Sequence, residues 1–373
     1  MTKGDFEMSI PAIIYPFCSE LLPVIRHFSK LQNQYSLYKL VSLPGLGLTG
    51  HDAAFACNHT EVGLKVEETI DYSDSAWEAI ILTRVIDSEV ASESDLDIVA
   101  EKAFAAGKKV VWFDNCSAEI PKVVLQLVSE NPYQIRTYTP DSSLPVNNRI
   151  DDRYCNPDVP IVMVGGLLTE ADVFEALLGI TVQVKADGLR PLVFARHPVG
   201  GLFGLHSVMH ICSTLELTEA QKISKINLLV RDYEGFERPD VIIIEAPDSL
   251  MRFSDVAPNG FGIQSYMVTQ AIRPDLCVCC IPCDLTDTTF LSNLSCDFSI
   301  RLGTAINAVH ASNIIVDSAE LLQTKEISCA HASIEEVRRT VERIQPSAPI
   351  PVFDVVTDSA SSMYSEIRQL IKT

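Results

Sequence analysis

At 373 residues the chain is longer than a single hydrophobic core usually spans, so two domains are expected. A net charge of -20, from 29 lysines and arginines against 49 acids, excludes the basic stripe that nucleic-acid phosphates require and disfavours adsorption to anionic membranes. The same charge would steer a cationic partner, such as a basic peptide segment, toward the protein.

Residues 1–17 hold one lysine, two acids and only short apolar runs, which does not match a secretion signal. No apolar stretch approaches the roughly 18 residues of a membrane span. A cytoplasmic protein is therefore expected, and its eleven cysteines are expected to be reduced thiols.

In chain order, β-branched runs at 12–15, 38–43, 79–83, 109–113 and 134–137 predict strands. Helix-compatible spacing covers 20–30, 94–106 and 119–130. Residues 139–158, rich in proline, serine, asparagine and aspartate, read as a surface linker. The expected domains are thus 1–150 and 151–373. The second opens with a strand at 160–164 and a helix at 169–186, followed by strands at 191–195, 241–244, 276–281 and 313–316. Helices are expected at 218–233, 262–271 and 291–303, then a helix at 333–344, a strand at 351–353 and a terminal helix at 359–370. Such alternation predicts an α/β protein of two doubly wound, mostly parallel sheets, the first Rossmann-like and the second P-loop NTPase-like.

The strand at 160–164 runs into Gly165-Gly166-Leu167-Leu168-Thr169-Glu170-Ala171-Asp172, a glycine-led turn before a helix, but without the Lys-Ser or Lys-Thr that holds phosphate and magnesium. Glu170 and Asp172 would repel a phosphate there. Thr169 with Asp172 reads as a helix cap, and the turn as a degenerate P-loop. Downstream, Asp240-Val241-Ile242-Ile243-Ile244-Glu245 is an apolar strand ending in a carboxylate. Glu245 sits like the acid that helps hold Mg²⁺ in an intact NTPase, or it caps the loop that follows, where Asp248 is a further ligand candidate.

Arg196 to Ser207 follows the second strand of this half, at the end of a doubly wound sheet where ligands bind. Arg196, His206 and Glu245 form a candidate catalytic rim able to bind an anion or move a proton, with Gly204 and Ser207 as ligand-binding candidates; the alternative is a packed turn and helix start. In the first half, Gly45-Leu46-Gly47-Leu48-Thr49-Gly50 matches G-x-G-x-x-G but follows the second strand instead of the first, which argues against a dinucleotide site. Gly47, Thr49, Gly50, His51 and Asp52 remain candidates for a ligand-binding loop facing a cleft between the domains. Cys277-Val278-Cys279-Cys280-Ile281-Pro282-Cys283 contains C-x-x-C spacing, but strand alternation sends Cys277 and Cys279 to one face and Cys280 to the other, so buried thiols are expected and no metal site.

Four stretches together resemble the clostridial-type peptide maturation system protein family, found beside radical SAM maturases and cysteine-rich precursor peptides. They are Ile14-Tyr15-Pro16-Phe17 with Ser19-Glu20; residues 43–53 with Gly47-Leu48-Thr49-Gly50 and Asp52; Leu202-Phe203-Gly204-Leu205-His206-Ser207; and residues 239–245 with Gln270-Ala271-Ile272-Arg273-Pro274-Asp275. The resemblance implies a role beside peptide maturation, with the precursor peptide and the maturase as partners, and no particular reaction. More distantly, the architecture is similar to a two-domain bacterial family with a Rossmann-like first half and a P-loop second half that keeps the phosphate-binding lysine. The expected function is an accessory protein that binds peptide, maturase or a small ligand between its domains; a modifying enzyme using Arg196, His206 and Glu245, and a nucleotide-dependent enzyme, are the alternatives. The cofactor is left unassigned, and a homodimer is expected from base rates.

Overall fold

The computed structural model describes residues 9–31, 34–83, 93–113, 126, 135–138, 154–259 and 261–371. The helix expected over 119–130, residue 126 apart, and positions 139–153 of the expected linker lie outside them. By internal contacts the chain forms two units, Met1–Asp141 with Pro198–Gly204, and Ser142–His197 with Leu205–Thr373. The excursion of Pro198–Gly204 into the first unit is not signalled by the sequence.

The first unit is built on strands β1 (Ile10–Tyr15), β2 (Tyr35–Val41), β3 (Val66–Glu67), β4 (Ala79–Thr83), β5 (Lys109–Phe113) and β6 (Ile135–Tyr138). They form one parallel sheet in the order β3-β2-β1-β4-β5-β6, the order of Rossmann-type sheets. Helix α1 (Leu22–Leu31) buries Leu22, Val24, Ile25 and Phe28. Helix α2 (Glu93–Ala105) buries Leu96, Ala100 and Ala103, at the spacing that places three side chains on one helical face. The turn Pro198–Phe203 buries Val199, Leu202 and Phe203, and the Phe203 ring meets Phe28 edge-on at 6.3 Å.

In the second unit β7 (Ile161–Gly166), β8 (Pro191–Phe194), β9 (Val241–Glu245), β10 (Leu276–Pro282), β11 (Ile306–Ser312) and β14 (Val352–Phe353) form a parallel sheet in the order β14-β11-β10-β7-β9-β8. Every residue of β7, β9 and β10 is buried, as strands covered on both faces require. One face carries an apolar core in which Met163, Phe194, Ile244, Cys277, Cys279 and Val309 are fully enclosed. Helix α3 (Val173–Ala186) covers the other face and is itself buried along most of its length.

Two expectations are corrected. The strand placed at 313–316 is displaced: the sheet strand is β11, while β12 (Ile314–Val316) pairs antiparallel with β13 (Cys329–His331) in a separate ribbon. Asn307, His310 and Ser312 interrupt the apolar run of β11, yet His310 and Ser312 are wholly buried because partners are available to them. Helix α3 starts at Val173, and the Thr169 and Asp172 cap is absent: Asp172 takes the N-cap position in the left-handed region at φ 57° and its side chain bonds no helix N–H. Among the described residues no helix is long and apolar enough to cross a membrane.

Gly165 and Gly166 are required by packing. A Cβ on Gly165 would lie 2.5 Å from Leu250 Cδ2 and 2.7 Å from Ala246 Cβ, and one on Gly166 would lie 2.4 Å from the Leu168 carbonyl oxygen. Gly166→Ala has to displace backbone, and a loss of about 1–3 kcal/mol in stability is expected from urea unfolding curves.

Candidate functional site

In open α/β sheets ligands bind beyond the carboxyl ends of the strands, where the strand order reverses. In the second unit that point is β7 and its neighbour β10, because the chain leaves β7 toward β8 on one side and leaves β10 toward β11 on the other. Laying G-x-x-x-x-G-K-[ST] from Gly166 puts Ala171 at the second glycine, Asp172 at the lysine and Val173 at the hydroxyl position. A carboxylate thus stands where the motif has its cation. The backbone of the turn is also occupied: Leu167 N–H donates to Cys280 O at 3.1 Å, Ala171 N–H to Leu168 O at 3.2 Å and Asp172 N–H to Glu170 O at 2.8 Å. Those three N–H groups are engaged by carbonyls of the protein itself, two of them within the turn.

Asp172 Oδ2 accepts from Ser312 Oγ at 2.7 Å and lies 3.3 Å from His310 Nε2. His310 is fully enclosed. Burial pushes its imidazole down, but the hydrogen bond and charge of Asp172, the charge of Asp354 and the Phe353 carbonyl outweigh it, so the ring titrates above its ordinary value. His310 is level with Cys280 on β10, which is level with Gly166 on β7. Glu245 is paired with Val164, two residues before Gly166, so Glu245, Cys280 and His310 share the face under α3. His331 Nδ1 lies 3.3 Å from Asn313 Oδ1 nearby. Sequence reading missed His310 and Ser312. Their signal was two polar residues at i and i+2 of a mostly apolar strand, hence on one face.

Glu245 is 2 % exposed, and its Oε2 accepts from the Arg196 N–H at 2.7 Å. Burial raises its pKa, opposed by the Arg196 charge and by hydrogen bonds from the Arg196 and His197 N–H groups. Arg196 and Glu245 therefore meet, through the backbone. His206 is placed elsewhere: its Nε2 lies 2.6 Å from Glu237 Oε1 and its ring packs on Tyr233 and Phe194. Phe194 and Ile244 belong to the core on the opposite face from Glu245, so the structure does not gather the three rim residues at one point. Ser207 Oγ accepts from Met209 N–H, and Gly204 lies exposed in the first unit at φ 72°. Asp248 receives Gln264 N–H at 3.1 Å, Ser265 N–H at 2.8 Å and Ser265 Oγ at 2.6 Å, holding the start of the helix Ile263–Ala271.

The glycine loop of the first unit follows β2, as the sequence implies. Gly47 and Gly50 adopt φ 70° and 82°, and Thr49 is exposed. Asp52 accepts from the N–H groups of Ala54, Val62 and Gly63 at 2.9, 3.0 and 2.8 Å, which fixes the loop. His51 stacks on the exposed Phe55 ring at 4.0 Å. The turn after β1, Pro16-Phe17-Cys18, has no glycine.

Cys277, Cys279 and Cys280 are each wholly buried, the first two in the apolar core, and burial pushes all three thiols up, Cys279 to about 12. Such thiols are poor nucleophiles and poor ligands. Among the described residues no group of three or more His, Cys, Asp or Glu side chains is arranged to hold a metal ion.

No family model and no curated protein matches the sequence. Among solved structures, a DUF1611 family protein from Anabaena variabilis superposes with a TM-score of 0.63 at 11% identity, covering 97% of this chain and 100% of that one. This likeness shows a common fold. The hydrogenase maturation factor HypB from Archaeoglobus fulgidus gives a TM-score of 0.29 at 12% identity over 57% of this chain and 90% of that one. A nucleotide-binding protein in complex with ADP from the same organism gives 0.30 at 13% over 61% and 91%.

The raised Glu245 carboxyl carries a consequence for stability. Its ionised form is disfavoured in the fold, so its contribution is most favourable at low pH, declines as pH rises past the unfolded value and levels off above the folded one. Glu245→Gln keeps an acceptor for Arg196 N–H without the charge. Thermal unfolding is expected to show the variant more stable than wild type at pH 8 and without that advantage at pH 4.

Proposed function

We propose that the chain is a non-hydrolysing accessory protein of ribosomally synthesised peptide maturation, acting in the cytoplasm on a P-loop-like scaffold that no longer takes nucleotide. The carrying observation is Asp172, which stands at the lysine position and is tied to Ser312 and His310. Replacing a cation by an anion removes a charge-assisted contact of roughly 1.5–3 kcal/mol and adds repulsion toward a triphosphate. The precursor peptide and the maturase as partners rest on the four resembling stretches between Ile14 and Asp275, and the net charge of -20 suits a partner with basic segments.

The test is calorimetry and thermal shift on the full chain with ATP, GTP, the cognate precursor peptide and the maturase. Expected are a shift with peptide or maturase and no nucleotide affinity tighter than about millimolar. Micromolar ATP binding that disappears in Glu245→Gln would reverse the reading in favour of a nucleotide enzyme. Failure of both macromolecules to bind would remove the maturation role.

A further inference from the structure

His310 Nδ1 faces two groups that make opposite demands. The Phe353 carbonyl oxygen, 3.3 Å away, needs a proton from it, whereas the Val355 N–H, 3.2 Å away, needs its lone pair. Nε2 faces only an acceptor, Asp172 Oδ2. A neutral ring with its proton on Nε2 donates to Asp172 and accepts from Val355. A protonated ring donates to Asp172 and Phe353, and the Val355 N–H loses its acceptor. Burial makes that exchange consequential, since an unmatched group inside the protein is costly.

The groups concerned tie two parts of the second unit together. Asp172 precedes α3. Phe353, Asp354 and Val355 open the C-terminal segment, in which Asp354 accepts from the N–H groups of Val356 and Thr357, leaving that of Val355 to His310. The rest of the segment lies along α3: Gln183 Nε2 donates to Ser359 O, Ala360 approaches Gly179 so closely that a Cβ there would be 2.9 Å away, and Tyr364 and Arg368 both reach Asp187. We propose that His310 is a proton-operated latch, which sets whether the C-terminal segment, residues 352–371, is held to the turn at 167–172 through the Val355 amide or through the Phe353 carbonyl.

The titratable groups around the ring are Asp172 from the turn, Asp354 from the segment and the buried Cys280 thiol beside it on β10; His331 on β13 feels the Asp172 charge. The two carboxylates raise the ring's titration above its ordinary 6.5, and Asp172 acts more strongly because it is bonded to it.

The test is a pH titration of the full chain by NMR, with ¹³C-labelled histidine rings and ¹⁵N-labelled valine, the His310 and Val355 signals being assigned through His310→Gln and Val355→Ala. Expected are a His310 midpoint above 6.5 and a Val355 amide shift that follows the same midpoint. Asp172→Asn should lower that midpoint, and Asp354→Asn should lower it by less. A Val355 amide that stays still while the ring titrates would overturn the latch, as would a midpoint unmoved by either substitution. If Asp172→Asn does not fold, Asp354→Asn and the Val355 amide still decide the matter.

Discussion

The second unit depends on one carboxylate. Asp172 receives a hydroxyl from Ser312 and an imidazole from His310, and so joins the turn after the central strand to the end of β11. Both partners are fully buried, so neither has water as an alternative. The position that a nucleotide-binding loop reserves for a mobile cation is held here by an anion whose task is internal. The backbone at Asp172 is left-handed at φ 57°, a conformation that aspartate tolerates better than most residues, and its carboxylate does not cap the helix it precedes.

The two faces of the second sheet have different chemistry. Beneath one lies an apolar core in which even cysteines behave as small hydrophobic residues. Beneath α3 run Glu245, Cys280 and His310, each buried and each displaced from its ordinary titration by that burial or by its partners. Glu245 holds the loop after β8 by its backbone, Asp172 holds β11, and Asp248 holds the helix Ile263–Ala271. In this chain each of these acids fastens one element to another through the hydrogen bonds it accepts.

The fold class, the parallel sheets and nearly all the sheet strands of the second unit were legible in the sequence, since strands enclosed on both faces must be written in unbroken apolar letters. The loss of the lysine was equally plain. What failed was β11, placed at 313–316: Asn307, His310 and Ser312 interrupt its apolar run, although partners let His310 and Ser312 lie in the interior. The grouping of Arg196, His206 and Glu245 on one rim also came from their positions at strand ends, without regard to which face each side chain takes.

Composition and local pattern therefore determined where strands and helices arise, because periodic burial depends only on neighbours a few residues away. They also determined that residues 165–172 lack a cation. Tertiary structure alone decided that Asp172 finds Ser312 and His310, some 140 residues along the chain, and that His206 turns to Glu237 and away from Glu245. A hydrogen bond requires a meeting of two groups within about 3 Å. Strand order brings such groups together from any distance in sequence, so no local pattern contains the pairing.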